Sequence, residues 1–237
     1  MQISIKSDLK KLTKDLNRLQ KKQIPAATQW ALNGTAKKVK AAEEREIKRV
    51  FNNPTRYTQK ALWIKWARKT NLEALVKIKD EAFKGNAASK YLSPQMSGGG
   101  RKHKGFEKLL IARGQMPGNM YAIPSRTLKK NRYGNVSNGM IQKILSGLGS
   151  QRDVYQRASE GSKTFGKYFS GIIGDVHGIW DVNKLRRRVP ALLFIFISGS
   201  PKYSKRFDFQ RVAVKTINTV FKREFDKSLA KALATAR

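Results

Sequence analysis

The chain has 237 residues, 40% of them apolar, enough for one large domain or two small ones with a real core. Fifty Lys and Arg against 16 Asp and Glu leave a net charge of +34. That lies far outside the ~2–8 that keeps a small domain soluble, and an ordinary solvated surface does not account for it. Cysteine is absent, which excludes disulfides, thiol catalysis and a thiolate zinc cage.

Self-repulsion of this size destabilises a compact state unless something anionic lies against it, such as nucleic acid, an acidic protein surface or lipid headgroups. The N-terminus, MQISIKSDLKK, has no apolar segment of signal-peptide type, and no stretch reaches the ~20 apolar residues of a helical membrane span. The expectation is a protein that stays in the cytoplasm where it is made and meets its anionic partner there, or in something assembled there.

Ile3 and Ile5 alternate with polar residues and predict a short strand. Leu9, Leu12, Leu16 and Leu19 follow at helical spacing, with Ser7 or Asp8 placed to cap a first helix. Pro25 then stands where a second helix would begin, since a missing N–H costs nothing at the first helical position. From Ala27 through Trp30, Ala31, Gly34, Ala36, Val39, Ala42, Ile47 and Val50 the spacing predicts a long helix with a small-residue face, stopped by Asn52, Asn53 and Pro54. Its other side carries Lys37, Lys38, Lys40, Arg45, Lys48 and Arg49, a solvated face or a docking surface, with Glu43, Glu44 and Glu46 offsetting part of the charge.

Leu62, Ile64 and Trp66, then Leu72, Ala74, Val76 and Ile78, recur with period two on either side of Lys69, Thr70 and Asn71, which reads as a hairpin. Trp63 beside Lys65, Lys77 and Lys79 on the outer face suits base stacking, or simply covers the core. From Gly85 to about Gly174 the chain turns rich in Gly, Ser, Asn and basic residues. Short helices are expected over 105–113, ended by Gly114, and over 137–148, with loops elsewhere. That much loop points to partner contact or disorder.

Strands are expected over 167–173 and 178–182, leading through Arg186, Arg187 and Arg188 to Ala191–Ser198 (ALLFIFIS), the one uninterrupted apolar run. Too short to span a membrane and bounded by Pro190 and by Gly199, Ser200 and Pro201, it reads as a strand covered on both faces. Asp208 can cap a last helix in which Val212, Ile217, Phe221, Phe225, Leu229 and Leu233 recur, on the order of 40 Å long. The fold expected is α+β: a mainly antiparallel sheet packed by long N-terminal and C-terminal helices, with a long loop-rich central insertion. Residues 1–84 and 165–237 together form the core domain, and 85–164 the insertion with its two short helices.

Little here performs chemistry. A metal site wants several ligands, and the nearest grouping, Asp175, His177 and Asp181, is thin. A nuclease or basic toxin would have to use His103 or His177, for which no carboxylate partner stands out. The segment SGGGRKHKG lacks the spacing of a phosphate-binding loop and reads as a flexible basic loop. No catalytic, cofactor-binding or metal-binding residue is assigned, no cofactor is expected, and the chain is read as a non-enzyme. The candidate docking or DNA-facing residues are Arg45, Lys48, Arg49, Arg56 and Lys60 as one basic patch, and Arg101, Lys102, Lys104, Arg186, Arg187 and Arg188 as others. For each of these a solvated face is the plain alternative.

Ala31, Leu32 and Asn33 in an Ala-rich helix, the basic Arg56–Lys60 segment and the strands in IKWARKTNLEALVKIKD resemble the minor tail protein Z, or tail-completion, family of tailed bacteriophages. The segments YLSPQMSGGGRKHKGFEKLL, YGNVSNGMIQKILSGL, GIW and PKYSKRFDF continue the likeness in order, from about Ala26 to the C-terminal helix. The resemblance implies a structural virion protein at the head-proximal end of the tail, assembled in the host cytoplasm. Copies would form a ring joining the tail to the head connector and to tail tube or tail terminator proteins, with genomic DNA in the lumen and no membrane contact. The alternative from composition is a basic nucleic-acid-binding protein.

Overall fold

A computed structural model describes residues 2–6, 18–82, 85–186 and 189–235. In chain order its elements are β1 (Gln2–Lys6), α1 (Arg18–Val50), α2 (Arg56–Gln59), β2 (Leu62–Lys65), β3 (Glu73–Ile78) and α3 (Ala88–Ser97). Then come β4 (Gly99–Gly100), α4 (Gly105–Ala112), β5 (Met120–Pro124), α5 (Asn138–Gly147), a 3-10 turn (Val154–Gln156) and β6 (Tyr168–Ile173). The chain closes with β7 (Val176–Arg186), β8 (Val189–Ser198), β9 (Lys202–Tyr203) and α6 (Phe209–Ala234). The fold is mixed α+β, with antiparallel sheets and long helices towards both ends of the chain.

Two compact units make up the chain: residues 1–98 with 204–237, and residues 99–203. This differs from the division expected from sequence, which set 165–203 with the first unit and 85–98 with the insertion. The ladder partners explain the difference: the apolar strand β8 hydrogen-bonds to β5 and β7, so it belongs with residues 99–164.

In the first unit β3 lies between β1 and β2, antiparallel to both. The hairpin closes as expected, with Leu62 opposite Ile78, Ile64 opposite Val76, and a bridge between Arg68 and Asn71 at its tip. Period-two alternation puts Leu62, Ala74, Val76 and Ile78 into a core with Leu32, Ala36, Val39 and Ile47 of α1. Phe207 and Phe209 join it, their rings edge to face at 5.9 Å. α1 and α6 run antiparallel: Trp30 meets Lys231, Lys38 meets Glu224, and Glu43 lies by Ala213.

Asp208 caps α6 by accepting from the Arg211 N–H, as its position before the apolar series predicts. The buried stripe of α6 runs through Phe209, Ala213, Val220, Ser228 and Ala232, while Leu233, expected on it, is exposed. The helix expected over Leu9–Leu19 falls mostly on residues outside those described. α1 passes through Pro25 instead of starting at it. An internal proline costs about 3 kcal/mol in lost hydrogen bonding and crowding. Burial of Ala26, Ala27 and Thr28 offsets that, and the Thr28 hydroxyl donates to the Ile24 carbonyl. α1 stops where expected, ahead of Asn53, whose φ is +49°, and Pro54.

The second unit is a four-stranded antiparallel sheet in the order β5-β8-β7-β6. Its two ends are joined by the β4–β9 pairing and by Ser200, whose hydroxyl accepts from the Arg101 N–H and donates to the Arg101 carbonyl. The expected helices are present as α4 and α5, and with β8 they enclose a second core of Leu110, Ile144, Leu145, Ile179, Leu193, Phe194 and Phe196. β6 and β7 form a hairpin whose two-residue turn needs the positive φ of Gly174, +57°.

Gly178 is required for close approach: a Cβ there would lie 2.1 Å from the Phe194 carbonyl oxygen, which is backbone and cannot swing aside. Gly178→Ala is therefore expected to destabilise the protein by about 1–3 kcal/mol, read as a lower urea midpoint. An unchanged midpoint would show that the β7–β8 spacing is looser than described.

Candidate interaction surfaces

The basic residues singled out from sequence lie on both units. On the first, Arg45, Lys48 and Arg49 are exposed on the last turns of α1, and Arg56 and Lys60 are exposed at the two ends of α2, which packs on α1. α2 exists as a separate turn because Thr55 caps it, its hydroxyl accepting from the Thr58 N–H. Arg49 is not a free cation: its guanidinium forks onto Glu46 at 2.6 and 2.8 Å, an i,i+3 pair that holds the Glu46 carboxyl below its ordinary range. Arg45, Lys48, Arg56 and Lys60 remain as the solvent-facing charges of that end.

On the second unit the basic run beginning at Arg101 separates into two kinds of residue. Lys102 and Lys104 are exposed. Arg101 is not: its side chain is 9% exposed and grips the wholly buried Glu107 through two contacts, at 2.5 and 2.6 Å. Glu107 also accepts from the Lys104 and Ala122 N–H groups, at 2.6 and 2.9 Å. Burial pushes the Glu107 carboxyl up, and the Arg101 guanidinium with the two amides brings it below its ordinary value. The Arg101 guanidinium rests 5.0 Å from the Tyr121 ring, and His103 stacks on that ring's plane at 4.2 Å. Arg101 and His103 thus fasten a loop to β5, and the Arg101 guanidinium is engaged inside the unit. Arg186 ends β7, its side chain lying outside the described set, as do Arg187 and Arg188 entirely.

The aromatic residues are the more informative surface. Trp63 is exposed on the outer face of the hairpin, with the Lys77 ammonium 5.8 Å from its ring, the juxtaposition that the alternating pattern predicts. Trp66 and Trp30 are also exposed, with Lys37 5.5 Å from the first and Lys231 5.0 Å from the second. Sequence reasoning placed Trp30 on the small-residue face of α1 and missed its exposure. A lone Trp among Gln29, Ala31 and Asn33 is the signal that was present.

For catalysis the geometry offers little. Among the described residues no group of three or more His, Asp or Glu side chains is placed to hold a metal ion. His177 packs edge-on to Phe196 at 5.0 Å, and the buried Asp181 accepts from the Asn183 N–H. Among the described residues no helix is long and apolar enough to cross a membrane.

The family model for prophage minor tail protein Z matches residues 7–145, more than half of the chain. The chain belongs to that family. No curated protein and no solved structure matches it. A minor tail protein is a structural component of the phage tail, so the chain is a virion protein that interacts with other tail or virion proteins. Within the minor tail protein Z match lie α1, the hairpin, α3, α4, β5 and most of α5, hence Trp30, Trp63, Trp66 and the Arg101–Glu107 pair. β6 to β9 and α6 lie beyond it.

Proposed function

We propose that this protein is the tail-completion or neck component of its phage, a non-enzymatic subunit of a ring at the head-proximal end of the tail that joins the tail to the head connector. Membership of the minor tail protein Z family carries the reading, and the charge narrows it. Copies at +34 repel one another, so a ring of them needs anionic neighbours. Genomic DNA in the lumen and acidic faces of the connector, tail tube or tail terminator supply that charge. Ring contacts are heterologous and close by rotation, which requires each subunit to present two different faces.

Within such a ring the exposed Arg45, Lys48, Arg56, Lys60, Lys102 and Lys104 serve docking or DNA contact. The exposed hairpin face of Trp63 and Lys77 also suits a basic nucleic-acid-binding role, in which bases stack on the indole once Lys77 moves from its ring to a phosphate. Deleting the gene is expected to leave filled heads beside unjoined or defective tails, counted by electron microscopy of lysates. Normal infectious particles from the deletion strain would reject the assignment.

A further inference from the structure

Asn33 is the fixed floor of a cleft in the first unit. Its amide donates to the Ala67 carbonyl at 3.1 Å and accepts from the Ala67 N–H at 2.8 Å, tying the residues that follow β2 onto α1. Above that floor stand Trp30 and Trp66, 36% and 47% exposed, with Gly34 and Lys37 completing a cleft of about 390 Å³. Gly34 contributes no side chain, and a Cβ there would lie 2.5 Å from the Glu224 carboxylate, whose charge Lys38 already offsets. Two exposed tryptophans beside one cleft are costly to leave in water, and Trp is prominent among the residues that dominate binding energy.

The cations decide what fits. Lys37 sits over the Trp66 ring and Lys231 over the Trp30 ring, and among the described residues neither ammonium meets a carboxylate. The neighbouring Lys38 is already taken by Glu224 at 2.6 Å. A base stacking on either indole would have to displace the ammonium from the face it covers. A carboxylate beside an apolar side chain would instead find the Lys37 ammonium in the lining, the Lys231 ammonium against Trp30, and indole surface beside both. A second copy of the chain is the poorest source of such a segment, with 16 acidic residues against 50 basic ones.

We infer that the Trp30–Trp66 cleft is a docking site for an acidic segment of a different virion protein, one that inserts an apolar side chain between the indoles and pairs its carboxylates with Lys37 and Lys231. The inference rests on the chain being a virion component and not on its position in the neck. The test uses particles assembled in cells that carry Lys37→Glu with Lys231→Glu, and separately Lys163→Glu, an exposed lysine of the second unit. The paired reversal is expected to lower the number of copies per purified particle about tenfold, the scale of one charge-pair loss at a binding site. Lys163→Glu should change nothing, and circular dichroism should show all variants folded.

A photo-reactive phenylalanine derivative in place of Trp66 should cross-link, in those particles, to a peptide rich in Asp or Glu from another protein. Normal incorporation of the paired reversal overturns the inference, as does a cross-link to DNA or to a second copy. Complete absence of the unsubstituted chain from particles would instead overturn the virion reading itself, so the two failures are distinguishable.

Discussion

Arg101→Ala is expected to destabilise the unit of residues 99–203 by about 3–5 kcal/mol, the cost of stranding a buried charge without its partner. Glu107 is wholly buried, and among the described residues Arg101 is its only ion-pair partner. Without the guanidinium, the two amide donors from Lys104 and Ala122 remain, with the through-space attraction of the Lys104 ammonium but no ion pair among the described residues. Arg101→Lys should recover only part of the loss, because a single ammonium cannot hold both carboxylate oxygens as the fork does. Arg101→Met with Glu107→Gln should recover more, since it leaves no buried charge at all.

The pH dependence has a definite sign. The Glu107 carboxyl is held below its ordinary value of 4.5 in the folded protein. The stability that this supplies is therefore fully present above the unfolded value and is lost as pH falls through the folded one. Wild type and Arg101→Ala should differ most near neutrality and converge in acid, followed by urea titration at several pH values. A difference independent of pH, or no difference, would show that Arg101 is the surface-facing docking residue its sequence context suggests.

How much of this was legible in the sequence follows from the range of the forces involved. The β2–β3 hairpin and the Asp208 cap were readable because side-chain alternation and capping act within a few residues. So was the apolar run that became β8, the strand flanked by partners on both sides, with its residues from Pro190 to Ile197 buried or half-buried. Its partner β5 was not readable: MYAIP is short, ends in proline and sits in a segment whose composition is that of a loop. Missing β5 hid the division of the chain, because that ladder is what gathers residues 99–203 together.

α3 was missed for a related reason, since Pro94 and three serines disguise a helix that stays in place by burying Ala88, Leu92 and Met96. In the basic run SGGGRKHKG, nothing in Arg101 itself distinguishes a buried arginine from a solvated one. The available signal was Glu107, the sole acidic residue between Glu81 and Asp153, at the third position of a helix. An isolated carboxylate in so basic a stretch has a specific partner to satisfy.

The second large effect concerns Glu43, which the sequence offered as one more surface acid on α1 and which is completely buried. Among the described residues neither of its carboxyl oxygens completes a hydrogen bond, although the Ala213 backbone approaches it from α6. Burial first, then the Glu46 and Asp208 carboxylates, push its pKa up to about 9, so at neutral pH the group is a neutral acid. Arg49, Lys205 and Arg211 are engaged with those same carboxylates: Arg49 with Glu46, Lys205 and Arg211 with Asp208.

In the unfolded chain Glu43 releases its proton near 4.5, while the folded chain holds it up to about 9. Stability must therefore fall as pH rises between those values, by on the order of 3–4 kcal/mol from pH 5 to pH 8 if one proton is at stake. Glu43→Met, of similar length and without polar atoms, removes that slope. Its gain over wild type should be about 1 kcal/mol at pH 5, from the lost unsatisfied carboxyl, and several-fold larger at pH 8. Urea denaturation of both proteins across this range measures it, and the difference cancels every other titrating group. Parallel curves would mean that Glu43 keeps its charge in the folded protein and that solvent reaches it between α1 and α6. Because Glu43 reaches no surface, the variant should enter particles as well as wild type does, which separates the strength of the helix pair from the docking roles proposed for Arg45, Lys48 and, further along α1, the Trp30–Trp66 cleft.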